Sequence, residues 1–147
     1  MINRLALFLL AMEFYGLREI AGTEDNPTIV GWFRDIGHSW VKDDETAWCS
    51  CFINWLAWKL GLEYSGALNA RSWLEHGMEI TTPELGDVLI FWRDDPNSWK
   101  GHVGLYAGQD DTHYYVLGGN QGNQVNITAY PKSRLLGARR LHPVEQG

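Results

Sequence analysis

Apolar residues recur at helical spacing in the first part of the chain and alternate with polar ones in the second. Leu5, Leu9, Met12 and Leu17 keep one helical register, interrupted by Glu13 and Glu19, which predicts a helix from about Asn3 to Ile20 ending near Gly22. Thr23 to Pro27 reads as a loop, Thr28 to Ile36 as a second helix, and the polar, acidic stretch from His38 to Glu45 as another loop. The best-defined helix follows, with Thr46 as its expected N-cap and Gly61 as its stop. Cys49, Phe52, Ile53, Leu56 and Leu60 fall within a stripe roughly 100° wide that would face a core, with Cys51, Trp55 and Trp58 on the other side. Ala70 to His76 is a short helix or turn. Beyond Pro83 the period changes to that of strands: Asp87–Trp92, the alternating His102–Ala107, its hairpin partner His113–Gly118 after a turn at Gly108–Thr112, then Gln124–Tyr130 and Leu135–Leu141. Helices followed by antiparallel strands make an α+β layout, with N-terminal helices packed on a sheet of about five strands.

The 147 residues suit a single domain, 1–147, large enough to fold without a disulfide or metal staple. Twelve Lys and Arg against 18 Asp and Glu give a net charge of −6, the wrong sign for a nucleic-acid binder. The apolar run from Leu5 to Met12 mimics a signal peptide. At about eight residues it is too short to span a bilayer, and the continuing helical register favours an ordinary edge helix. No integral membrane segment and no credible signal are therefore expected. Eight tryptophans are the compositional oddity. Most should be core, with one or two lining a groove.

Cysteines occur only at Cys49 and Cys51, too close in sequence for an ordinary disulfide and too few for a structural zinc set. Cys49 falls in the first turn of the best-defined helix. Unpaired N–H groups there favour a thiolate and can stabilise an oxyanion. The plainer alternative is a small core residue. His102 opens an alternating strand, and Gly104 beside it leaves space of the kind a substrate cleft requires. Its plainer alternative is a surface histidine at a strand end.

The two segments together resemble the NlpC-like and CHAP cysteine peptidases of the papain-like superfamily. The resemblance lies in Trp48-Cys49-Ser50-Cys51-Phe52-Ile53-Asn54-Trp55, which looks like the nucleophile helix. It continues in Pro83-Glu84-Leu85-Gly86-Asp87-Val88-Leu89-Ile90-Phe91 and in His102-Val103-Gly104-Leu105-Tyr106, which looks like the general-base strand. Leu117-Gly118-Gly119-Asn120-Gln121, Glu19-Ile20-Ala21-Gly22 and Asn26-Pro27 resemble a phage and bacterial branch of these hydrolases.

The resemblance implies that Cys49 attacks an amide carbonyl and that His102 takes the thiol proton and returns it to the leaving amine. It selects Cys49 over Cys51, as does the helical wheel. Family members orient the histidine with a polar residue on a later strand. Asn120 is the first candidate and His113, 11 residues after His102, the second. Asn120 could equally be a turn residue beside glycine. The backbone N–H of Cys49 is the default oxyanion donor. Many relatives carry Gln or Tyr before the cysteine where this chain has Trp48, which is expected to shape the cleft wall. Trp40, Trp48, Trp92 and Trp99 flank the loops that would frame a groove.

Asp43, Asp44 and Glu45 lack the spacing of an oxygen-ligand loop, and His38, His76 and His142 have no ligand spacing with the cysteines, so neither metal nor cofactor is expected. The implied activity is hydrolysis of a peptidoglycan amide, with the stem peptide as partner and a Cys49–His102–Asn120 triad. A delivery or inhibitor partner is left open. The expected setting is synthesis in the cytoplasm and action on the wall after release or delivery. The alternatives are a cysteine acyltransferase or peptidase acting on another amide, and a non-catalytic Trp-rich wall-binding module on the same fold.

Overall fold

The computed structural model describes residues 2–20, 25–39 and 48–144. Trp40, the acidic Asp43–Glu45 cluster, the expected cap Thr46 and the expected helix end at Gly22 lie outside the described residues. Helix α1 runs over Asn3–Met12, eight residues shorter at its C-terminus than the register predicts. The chain turns at Gly16 with φ +91° and then runs beside residues 123–125: Gly16 N donates to Val125 O at 2.8 Å and Glu19 N to Asn123 O at 2.9 Å. Those bonds replace the helical ladder, and the turn delivers Phe14 edge-on to Trp32 at 5.2 Å and Trp55 at 5.4 Å. Helix α2, Pro27–Asp35, has Pro at its first position and Asn26 as its cap, accepting from Thr28 N at 2.9 Å.

Helix α3, Cys49–Lys59, is the centre of the molecule. Cys49, Phe52, Ile53 and Leu56 of its expected core stripe are buried and Leu60 is half-buried, but Ser50, Cys51 and Asn54 are buried too: α1 and α2 pack on this helix, and Ser50 and Asn54 are bonded to Ala67 O in the segment before the sheet. Gly61, with φ +71°, ends it as expected. A short 3-10 helix, Ala70–Glu75, leads into the sheet.

Among the described residues the sheet has six strands where about five were expected: β1 Met78–Ile80, β2 Val88–Trp92, β3 Gly101–Gln109, β4 His113–Gly118, β5 Asn126–Pro131 and β6 Leu135–Arg140. Their spatial order is β1-β6-β2-β3-β4-β5 and every pair is antiparallel. The extra strand, β1, is three residues long and shows no alternation of its own; it is held by pairing with β6. Both sheet faces are covered. Val88, Ile90, Val103, Leu105 and Leu117 join the helices in the main core, while Leu89, Phe91, Val116 and Ala138 form a second cluster under Tyr106, Tyr114 and Tyr130. That double coverage is why β2 reads as an unbroken apolar run.

Two close approaches fix the frame. Gly86, at φ +90°, lies so near α1 that a Cβ there would overlap the Arg4 carbonyl. The following Asp87 is buried and takes Arg140 in a two-pronged pair, Nε to Oδ1 at 2.9 Å and Nη2 to Oδ2 at 2.7 Å. The Gly-Asp of the second motif therefore ties α1, β2 and β6 together and stands outside the candidate site.

Candidate functional site

Cys49 is the first residue of α3, directly after its N-cap Trp48, so it sits closer to the helix end than the expected Thr46 cap would place it. The backbone N–H groups of Val103, Ser50 and Cys49 itself serve the thiol. Burial pushes the Cys49 thiol up, while these N–H groups and the Arg93 guanidinium pull the other way. Val103 follows His102 in β3, so the strand that carries the imidazole also presents an N–H to the sulfur. Cys51 is buried in the core and pushed up strongly by the same desolvation.

His102 is 4% exposed, and burial lowers its pKa to about 4. Its ring stacks on Tyr130 at 4.7 Å and 18°, and Tyr130 stacks in turn on Phe91 at 5.0 Å. The decisive contact is to Gln121: His102 Nε2 lies 2.8 Å from Gln121 Oε1. The amide group of Gln121 faces acceptors at its nitrogen end, Val116 O at 3.1 Å, Asn126 O at 2.8 Å and Asn126 Oδ1 at 2.9 Å. Its nitrogen must point at them, so its oxygen accepts from the imidazole. Nε2 therefore carries the proton and Nδ1 is left with its lone pair.

This corrects the expectation for the third group. Asn120 lines the same cavity as His102 but adopts φ +58°, the left-handed conformation that Asn tolerates in turns, and the bond to the imidazole belongs to its neighbour. That turn sends Gln121 back between β4 and β5, where the longer side chain bridges His102 and Asn126. The glycines before it make the room. A Cβ on Gly118 would meet Gln121 Oε1 at 2.6 Å, and one on Gly119 would meet the Trp48 ring at 2.5 Å. The sequence held the signal in Gly-Gly-Asn-Gln: Asn beside glycine marks the turn, and the amide after it points inward. His113 is remote, at the opposite end of the hairpin. β3 from His102 to Gln109 spans about 23 Å, and His113 there joins Thr112 Oγ1 at 2.7 Å.

Two other expectations change. Trp48 is fully buried, with its indole donating to Glu19 Oε1 at 2.6 Å, so it anchors the start of α3 and forms no cleft wall. Gly104 opens no space beside His102: a Cβ there would lie 2.3 Å from Val116 Cγ1, so the glycine permits β3 and β4 to pack closely. Trp92 lines the cavity that holds His102, and Trp99, 74% exposed, lines the one that holds Cys49. These cavities, about 260 and 230 Å³, share Arg93, a residue the sequence reading passed over. His38 is bonded to Gly66 O at 2.6 Å, and His76 packs edge-on against Trp73. Among the described residues no group of His, Cys, Asp or Glu could hold a metal ion, and no helix is long and apolar enough to cross a membrane.

A buried polar network braces the helix start. Ser50 Oγ donates to Ala67 O at 2.7 Å and receives the Trp73 indole at 3.0 Å, and Asn54 reaches both Ser50 and Ala67 O. The segment from 65 to 73, which walls the Cys49 cavity, is thus held to α3 one turn from the thiol.

The fold resembles that of a Staphylococcus aureus protein described as similar to lipoprotein, NLP/P60 family, with TM-score 0.56 and 19% identity. The likeness covers 94% of this chain and 41% of that one, so the chain spans well under two thirds of its structural relative. No curated protein matches the sequence. Residues 41–120, more than half of the chain and including both Cys49 and His102, match the CHAP domain. The chain therefore belongs to the CHAP domain family, a family of cell-wall hydrolases that act on peptidoglycan.

Proposed function

We propose that the protein hydrolyses an amide bond of peptidoglycan, within the stem peptide or at its junction with the glycan, through a thioester on Cys49. The observation that carries the proposal is the orientation of His102. Gln121 holds Nε2–H, which leaves Nδ1 as the base, and the next residue of the same strand, Val103, has a backbone N–H that favours the Cys49 thiolate. With the thiol pushed up and the imidazole pushed down, the pair rests as neutral SH and neutral ring. Nδ1 takes the thiol proton as sulfur attacks the carbonyl carbon, and the backbone N–H groups at the start of α3 receive the oxyanion. Collapse breaks the C–N bond, and the imidazolium protonates the departing amine. Water, activated by the same nitrogen, then hydrolyses the thioester to a carboxylic acid and restores the thiol. Gln121 strengthens its bond whenever the ring is charged.

Purified sacculi test the reading. Wild-type protein is expected to solubilise them, with new amino termini marking an endopeptidase and free lactyl groups an amidase. Cys49→Ala and His102→Ala should each be inert. Sacculi from several wall types left intact by folded wild-type protein would overturn it.

A further inference from the structure

The chain carries a net charge of −6, yet the cavity beside His102 contains two guanidinium groups, Arg93 and Arg134. Other arginines are engaged. Arg4 and Arg140 pair with Glu84, Arg140 also with Asp87, Arg34 with Asp35, and Arg71 and Arg139 are bonded to backbone carbonyls. Neither Arg93 nor Arg134 has a carboxylate partner among the described residues. The nearby acids are committed elsewhere: Asp94 pairs with Lys100 at 3.2 Å, and Asp95 accepts from Asn97 N at 2.7 Å. Arg134 is placed by the Trp92 ring, with its guanidinium carbon 4.8 Å from the ring centroid. Stacking orients a guanidinium while leaving its in-plane N–H donors free for a ligand. Arg93 lines the His102 and the Cys49 cavities alike, and its charge reaches Cys49, His102 and Tyr130. At about 260 Å³ the His102 cavity is smaller than the ~300–1,000 Å³ usual for pockets enclosing drug-sized ligands, so it suits one residue of a peptide rather than a disaccharide.

We propose that this cavity is a carboxylate-recognition subsite, in which Arg134 and Arg93 bind a free carboxylate of the peptide substrate on the residue next to the scissile amide. The proposal rests on the reading of Cys49 and His102 as the reacting groups, which places the scissile amide between the two cavities. Arg93 lines both cavities and Arg134 lines that of His102. A carboxylate held there positions the acyl chain and supplies the negative charge that the two arginines lack within the protein. The preference concerns a local charge, so the acidic surface elsewhere does not oppose it beyond about 8–10 Å at physiological salt.

The test separates binding from turnover by using folded Cys49→Ala protein and calorimetry. The ligands are the synthetic peptide L-alanyl-γ-D-glutamyl-L-lysyl-D-alanine and its diamide, in which the glutamyl α-carboxyl and the C-terminal carboxyl are carboxamides. The free acid is expected to bind roughly 10- to 150-fold more tightly, the span for a charge-assisted contact. Raising the salt should shrink that ratio, and Arg134→Gln and Arg93→Gln should each erase most of it, with Arg134→Lys keeping part. The singly amidated peptides show which carboxylate is read. Equal binding of acid and diamide, or a ratio that survives both Gln substitutions, overturns the proposal. Because this readout needs no cleavage, intact sacculi in the activity assay would refute the hydrolase reading alone.

Discussion

Replacing Gln121 by Ala tests the most specific feature of the site. The side chain is 3% exposed and joins His102 to β4 and β5 through one accepted and three donated contacts. In the resting protein the bond to a neutral ring is worth about 1 kcal/mol. In the proposed acylation the ring becomes an imidazolium in a buried setting, and a hydrogen bond to a charged group is worth about 1.5–3 kcal/mol. The larger value applies to the transition state, so kcat/KM for sacculus or peptide hydrolysis should fall roughly 10- to 150-fold. A second readout separates this role from general loosening of the fold. The Gln121 bond raises the His102 pKa against the dominant lowering by burial, so its loss should move the acidic limb of the kcat/KM profile to lower pH. Asn120→Ala, which leaves that bond intact, should change kcat/KM by less than a few-fold and leave the limb in place. A Gln121→Ala enzyme within twofold of wild type with an unmoved acidic limb, or a full loss in Asn120→Ala instead, would refute the assignment.

Gly104→Ala should destabilise through overpacking, since its methyl would lie 2.3 Å from Val116 Cγ1. The expected cost is about 1–3 kcal/mol, or a Tm lower by roughly 2–12 °C, largely recovered by adding Val116→Ala; an unchanged Tm in the single variant would contradict the packing argument. His102 should also make folding sensitive to acid. Its folded pKa of about 4 lies below the usual 6.5, so the unfolded chain binds the proton first. The stability from keeping the ring neutral is whole above pH 6.5 and is lost as pH falls towards 4, about 3 kcal/mol in all. Urea unfolding at pH 7 and pH 4 should show that loss in wild type and its absence in His102→Asn, and parallel curves for the two proteins would count against it.

What the chain disclosed in advance follows from how local each signal is. The strands of the central hairpin and the end of α3 at Gly61 were legible because alternation and a left-handed glycine act within a few residues. The length of α1 was not, because the bonds that stop it come from residues 123–125, over a hundred positions away. Strand β1 was missed for the same reason: its ladder is supplied by β6. Within the site, Cys49 and His102 were singled out by the family resemblance of their segments, position alone leaving a core cysteine and a surface histidine open, whereas Gln121 became identifiable only once β4, β5 and the Asn120 turn were assembled around it.

The glycines make the same point in reverse. Gly104 and Gly118 lie opposite ends of the same packing problem, since each would place a Cβ within 2.6 Å of a neighbour across the β3–β4 region. One leaves room for Val116 and the other for Gln121 Oε1. Gly118 lets the Gln121 amide approach the His102 imidazole, and Gly104 lets β3 and β4 close on each other through Val116. In the proposed mechanism these bare backbone positions decide which side chain can reach the imidazole when it becomes charged, and that side chain is Gln121.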